Sequence, residues 1–496
     1  MDKPLIFADY LLIAVFFATM VGVGIYYGRR ARSTAQFLGS DKTVPWWLAG
    51  ISFWMNSFSA LAFVMYSALA YKFGFVTITL SWIAVPIYLF AGRYLAVRWR
   101  RAATTNPIEY TSERYTPVLC KAMAWLGLPM QFLDNALKLL AIGSVVGVGM
   151  GFPIGWSIAV SGAIIIVYTF LGGLKATLVC DFIQFFIIIA LVLILPPLCL
   201  GRLGGADGLV AGAKNLIDGL PKGFFDLTAG QYTWAYVIVF FLICACSSST
   251  NWSMVQRYYS TRSEKDARKV AYLMMVLDFV TPPLMYFPAM AARVILPDIP
   301  EEGMNGVYAS ICKAVLPAGF IGLVVAAMFS ATMSSLAGNF NAVASVVVNE
   351  LCFRKSKDVP ESRRLWAARI ATALIGASVI VLAFVMRCVQ GADDLFNISN
   401  KIFGVFMPAI SIPMLAGLFV RRFSRRSGLF ALLVGIVFGL SLFALGQVWP
   451  YLREMVPMFL STSAATIAAL FVGTRLFPDD RAASDAVDKF FARLAE

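Results

Sequence analysis

The chain repeats apolar runs that are each long enough to cross a bilayer, and this repetition limits the fold more than any other feature. Of its 496 residues, 60% are hydrophobic and 14% charged. Soluble domains average roughly 45–50% and ~25%. The excess amounts to about 298 apolar residues, enough at ~20 per span for a dozen or more helices. Hydrocarbon offers no water to exposed backbone groups, so such a run must close its own hydrogen bonds as a helix. The pattern predicts an all-α integral membrane protein with about thirteen transmembrane helices. They read as 7–27, 46–71, 76–97, 119–150, 154–171 and 176–200, then 232–255, 270–296, 318–348, 366–386 and 395–420, with 429–448 and 456–471 closing the chain.

Several function classes fall away. There is no histidine, which removes imidazole triads and His-ligated zinc or haem. The eight cysteines (Cys120, Cys180, Cys199, Cys244, Cys246, Cys312, Cys352 and Cys388) include no CxxC pair and read as small buried hydrophobes. No segment reads as a soluble catalytic or nucleotide-binding domain, so no enzyme is expected. The run at 7–27 lacks a small-residue cleavage site and reads as a retained helix, not a signal peptide.

The net charge of +14 follows topology, not nucleic acid. Basic residues fill every second loop: Arg29, Arg30 and Arg32; Arg98, Arg100 and Arg101; Lys175; Arg257, Arg262, Lys265, Arg268 and Lys269; Arg354, Lys355, Lys357, Arg363 and Arg364; Arg421, Arg422, Arg425 and Arg426. Intervening loops are short, neutral or acidic, as at Asp298, Glu301, Glu302, Asp393 and Asp394. The positive-inside rule then puts the N-terminus outside and the C-terminus inside, as an odd span count requires. Two blocks of five spans, one on each side of a polar stretch at 201–231, run in opposite directions. Five plus five in inverted topology is the symmetry of many secondary transporters.

The first helix of each block carries an interruption. Asn56, Ser57 and Ser59 lie about ten residues into one, which is mid-membrane at ~1.5 Å per residue. Ser247, Ser248, Ser249, Thr250 and Asn251 lie at similar depth in the other. Such polar runs are expected to be unwound, with free backbone groups that bind a solute or ion. The segment AAMFSATMSSLAGNFNAVASVVVNE at 326–350 places Ala331, Ser334 and Ser335 on one helical face. Two hydroxyls and a carbonyl there, beside carbonyls freed near 55–58, would offer a small hard monovalent cation five neutral oxygens. Small-residue faces also serve helix packing, so the spacing alone leaves both readings open.

Five segments, in order, give the chain a family resemblance: PWWLAGISFWMNSFSALAF, YTFLGGLKATLVCDFIQ at 168–184, NWSMVQRYYSTRSEKDARK at 251–269, ATMSSLAGNFNAVAS at 331–345 and PMLAGLFVRR at 413–422. The chain resembles the sodium:solute symporter family from the opening DY of its first helix to about residue 422. The resemblance implies a LeuT-like 5+5 inverted repeat with one helix before and two after. Residues 1–45 would be the extra N-terminal helix and cytoplasmic loop, 46–200 the first repeat and 201–231 an extracytoplasmic loop. Residues 232–422 would be the second repeat, and 423–496 two further helices with a short cytoplasmic tail.

Carried over by position, a sodium ion would be held by carbonyls of Met55, Phe58 and Ala331 and hydroxyls of Ser334 and Ser335, with Asp181 near the ion path. Members with two sodium ions have further hydroxyls after the Ser-Ser pair. Ala337 and Gly338 stand there instead, so one sodium per cycle is expected. The resemblance lines a solute pocket with Asn56, Ser57, Ser59, Ala62, Asn251, Asp278 and Asn400, which suits a sugar or sugar-like solute. Asp134 and Asn135 stand where sialic-acid-type members carry an arginine, and Asp278 where sugar-type members carry a lysine. Neither departure favours an anion.

Membrane-embedded acids are functional hypotheses by default. Asp134 has an ion-pair alternative in Lys138 one turn on, and Asp278 one in a hydrogen bond to a neighbouring helix. If both acids face the pocket, a cationic or amine solute, coupled to sodium or to protons, becomes the natural reading. A non-transporting membrane sensor is the alternative of another class. The expected partners are a small solute, sodium and the bilayer, with no nucleic acid, in a monomer of a prokaryotic cytoplasmic (inner) membrane.

Overall fold

The computed structural model describes residues 6–57, 62–102, 105–150, 153–300, 304, 306–317, 319–354, 359–388 and 392–495. They are helical throughout, with isolated bridges and no strand among the described residues. The helices that matter below are α1 (Phe7–Gly28), α2 (Trp46–Ser57), α3 (Ala62–Phe73, opening with a π-turn), α4 (Val76–Ala102), α5 (Pro117–Met150) and α6 (Ile154–Gly204). After the polar stretch come α7 (Trp234–Thr250), α8 (Trp252–Tyr259), α9 (Glu264–Ile295), α10 (Ile321–Val346), α11 (Glu361–Cys388) and α12 (Ala392–Phe419). The chain closes with α13 (Ser427–Leu445), α14 (Met455–Leu476) and α15 (Arg481–Ala495).

Nine of the described helices are long and apolar enough to span a membrane, or eleven when two sharply bent pairs each count as one span. The longest is really two. As one rod, the 51 residues of α6 would reach about 77 Å, far beyond a ~30 Å hydrocarbon core. The helix breaks at Gly173, whose φ of 60° and ψ of −150° no L-residue adopts comfortably. With that division and the 34-residue α5, which falls short of the same apolar test, the described helices follow the order of the runs read from hydropathy.

The middle of the bundle is α10. Every residue in it except Leu323 is buried, and it packs against α1, α2, α5, α6, α8 and α11. Outer helices face outward with apolar side chains such as Leu374, Val381 and Val437, each 63–64% exposed. At one end the basic loops pack together: Lys175 pairs with Asp41 at 2.7 Å, Arg100 donates to the Arg262 carbonyl at 3.0 Å, and Arg425 donates to the Tyr115 carbonyl at 2.8 Å. The opposite end joins the intervening loops, where Tyr71 donates to the Leu296 carbonyl at 2.9 Å and the Phe75 amide to Phe224 at 2.9 Å. Loop alternation read from charge thus agrees with loop proximity in space.

Two regions read from the sequence as a loop and a short tail contain ordered helices. Gly208–Gly219 forms within the 201–231 stretch, burying Gly212 and Leu216. The tail forms α15, which buries Val487, Phe490 and Leu494 on one face. Both are amphipathic, so a packed face stabilises segments too polar for a span.

Gly173→Ala tests the α6 reversal. An added Cβ would lie 2.4 Å from the Phe37 carbonyl at positive φ, and the expected cost is ~1–3 kcal/mol. Gly22→Ala, with nothing within 4 Å, should leave thermal unfolding in detergent unchanged.

Candidate functional site

Both interruptions found in the sequence are breaks. The α2–α3 pair bends by 65° and the α7–α8 pair by 54°. In the first, α2 ends at Ser57, whose hydroxyl donates to the Trp54 carbonyl at 2.6 Å. Phe58 and Ser59 lie outside the described residues. The second break is narrower than expected. Residues 247–250 remain helical, and the chain leaves the helix at Asn251 alone (φ −60°, ψ 126°). Thr250 donates back to the Cys246 carbonyl at 2.8 Å and contacts the Ser411 hydroxyl at 2.8 Å, so this hydroxyl is satisfied without unwinding. Asn251 caps α8, accepting from the amides of Ser253 at 3.0 Å and Met254 at 3.2 Å.

A buried polar network joins the two breaks. Arg257, read from the sequence as part of a basic loop, is fully buried. Its guanidinium donates to the Ser253 carbonyl at 2.7 Å and to the Ser52 hydroxyl at 3.1 and 3.2 Å, and lies 3.8 Å from the Asp181 carboxylate. Ser52 in turn donates to Asp181. From α2, Asn56 donates to the carbonyls of Ser334 at 3.1 Å and Ser335 at 3.4 Å on α10, and accepts from Ser253 at 2.6 Å. Gly338 faces this crossing: a Cβ there would meet the Asn56 amide nitrogen at 2.0 Å and Arg257 at 2.7 Å. Close packing accounts for the glycine where a further hydroxyl would stand.

The predicted cation ligands lie beside the network. Met55 and Ala331 are 0% exposed, and Ser334 and Ser335 are 0% and 1% exposed. The hydroxyls of both serines are buried without a hydrogen-bond partner, and Ser334 lies close to Asp181. Unsatisfied buried hydroxyls are costly, and their oxygens suit a hard monovalent ion. No cluster of three His, Cys, Asp or Glu side chains that could hold a metal ion exists among the described residues.

The remaining site candidates divide. Ala62 is buried at the start of α3. Asp134 pairs with Lys138 at 2.6 Å, and Asn135 accepts from Asn339 at 2.8 Å. Asp278 lies on α9 beside Trp54, and the side chain of Asn400 lies outside the described residues. Sequence reasoning missed Ser52, Ser253 and the inward placement of Arg257. Only the quoted segment NWSMVQRYYS carried a signal for the last two.

A profile of the Sodium:solute symporter family matches residues 37–435. The Sodium/glucose cotransporter of Vibrio parahaemolyticus is 24% identical, over 97% of this chain and 93% of its own length. The Sodium/sialic acid symporter of Proteus mirabilis is 22% identical, over 87% and 88%. Among solved structures, a substrate-bound, outward-open Na+-coupled sialic acid symporter superimposes with a TM-score of 0.84 at 19% identity, covering 95% of this chain and 98% of that one. A nucleobase-cation-symport-1 family transporter gives 0.55 at 14% identity, over 93% and 99%. The fold is that of the LeuT-like transporters.

Arg257→Met should strand the Asp181 carboxylate in the membrane and cost ~3–5 kcal/mol. Adding Asp181→Asn should recover most of it. Chemical denaturation of the four variants in detergent checks the coupling, and simple additivity would mean the two residues do not interact.

Proposed function

The chain belongs to the sodium:solute symporter family, and from that premise we propose that it imports a small polar organic solute with one sodium ion per cycle by alternating access. It is a sodium-coupled symporter, not an enzyme. The observation that carries the ion site is the pair of unpartnered, buried hydroxyls on Ser334 and Ser335. With the carbonyls of Met55, Phe58 and Ala331 they complete the proposed cage, and Asp181 lies on the ion path. Sodium there ties the broken α2 to α10 and favours the state that binds solute. Rocking of one bundle against the other exposes both, and loss of the ion to a low-sodium interior releases the solute.

The energetics suffice. A potential of 100 mV contributes ~2.3 kcal/mol per charge, and a tenfold sodium gradient adds ~1.4 kcal/mol. Their sum supports accumulation of a neutral solute by several hundredfold. The first reading of the solute is sugar-like, supported by the glucose cotransporter relative and by the amide and hydroxyl groups of Asn56, Ser57, Ser59, Asn251 and Asn400 with Ala62. A cationic solute is the second reading, favoured by Asp278, which has no ion pair with a Lys or Arg among the described residues; Asp134 already has Lys138. The protein is proposed to work as a monomer in a prokaryotic cytoplasmic membrane, N-terminus outside and C-terminus inside. The proposed repeats are 46–200 and 232–422, flanked by 1–45 and 423–496 and joined by the loop 201–231.

Thermal unfolding of the purified protein against sugars, amino acids, carboxylates and amines, in sodium or potassium, tests the coupling. Stabilisation by a solute in sodium only is expected. Equal stabilisation in potassium would uncouple the cation site from solute and favour protons. Binding without flux into proteoliposomes would favour a sensor.

A further inference from the structure

The tail helix α15 is tied to the second broken helix by a chain of rings. Its buried face is Val487, Phe490 and Leu494. Phe490 stacks on Tyr110 of the short helix Tyr110–Arg114, with ring centroids 6.1 Å apart. Tyr110 in turn packs edge-on against Trp99 of α4 at 5.3 Å. The three rings are 4%, 0% and 0% exposed, so the chain runs through the interior. At its far end the Trp99 indole donates to the Ser249 carbonyl at 3.0 Å. That carbonyl belongs to the last turn of α7, just before the chain leaves the helix at Asn251.

The indole does what the broken backbone cannot. An unbroken helix would bond the Ser249 carbonyl to the amide of Ser253, but that amide is turned to the Asn251 side chain at 3.0 Å. Trp99 supplies the missing donor and so fixes the end of α7. Tyr110 also donates through its hydroxyl to the Met414 carbonyl on α12. One side chain thus bears on α12 directly and on the break through Trp99. The rim of α15 is held lightly by comparison. Arg493 pairs with Glu113 at 2.5 Å, and Arg421, just beyond α12, with Asp488 at 2.6 Å. Both pairs are exposed, worth ~0–1 kcal/mol each and screened by salt. A helix held by one apolar face and screened charges belongs to the parts of a protein that open first.

We propose that α15 is a releasable clasp on the α7–α8 break, with Tyr110 and Trp99 as the positioning residues between them. Seated, Phe490 holds Tyr110 against Trp99, and the indole stays on the Ser249 carbonyl. Lifted, α15 takes that backing away, and the break gains freedom to move. On the orientation proposed above the clasp is cytoplasmic. Its release then frees the inner ends of α4 and α12, the side from which the solute would leave.

Hydrogen–deuterium exchange of the full-length protein in detergent tests the clasp, with exchange over 481–495 reporting α15 and exchange over 247–259 reporting the break. Phe490→Ala should speed exchange in both, at the break by at least about fivefold, the lower end of ordinary coupling between sites. Phe490→Tyr keeps the stack and should restore the original rates. Trp99→Phe should speed exchange at the break, and Phe490→Ala should add little to it there, because both act through one chain of contacts. Asp488→Arg, an exposed change that sets two cations together at Arg421, should act as Phe490→Ala does but more weakly, and it decides the matter if the ring variant unfolds. Faster exchange over 481–495 with 247–259 unchanged, full additivity with Trp99→Phe, or no loosening of α15 in either variant overturns the proposal. The measurement needs neither sodium nor solute, so its failure is separate from failure of the symport reading.

Discussion

A guanidinium buried in the middle of a membrane bundle is the constraint on which the rest of the site depends. Desolvating one ion costs several kcal/mol, and the cost is offset only when charge and hydrogen bonds are both supplied. Arg257 gets the charge from Asp181 on α6, and hydrogen bonds from Ser52 on α2 and from its own helix at Ser253. Three helices from both blocks must therefore converge on one point. That convergence sets Asn56 against the carbonyls of Ser334 and Ser335, and so aligns the broken α2 with the buried α10.

The same geometry explains why small residues crowd α10. Gly338 admits the Asn56 amide and Arg257 side by side, which any side chain would block. Just before it, the hydroxyls of Ser334 and Ser335 and one carboxylate oxygen of Asp181 are buried without hydrogen-bond partners. On the proposed reading, the ion completes a set of oxygens that the protein leaves unfinished. The ion then joins the two parts whose relative motion constitutes the cycle.

Much of this was legible in the sequence. Span positions follow from apolar runs, loop sides from basic residues, and both breaks from polar residues at mid-membrane depth. Other features were hidden for physical reasons. Arg257 stands a few residues before Arg262 and Lys265, so local charge density reads it as loop. Its partners Ser52 and Asp181 are distant in sequence, and no local pattern reports them. The polar run before Asn251 looked unwound because Ser and Thr can bond either to water-filled space or to their own helix, and only the fold decides. Helix α15 was missed because its buried face docks onto Ala96–Ala102 and Tyr110–Arg114, segments distant in sequence that must first be assembled.

The central claim is that one sodium ion binds at Ser334 and Ser335, held against α2 by the network around Arg257. Direct binding of radioactive sodium to the purified protein, compared with Ser334→Ala/Ser335→Ala, tests it most directly. The account expects saturable binding near one ion per chain, lost in the double variant while its thermal unfolding stays cooperative. Undiminished sodium binding in that variant would contradict it.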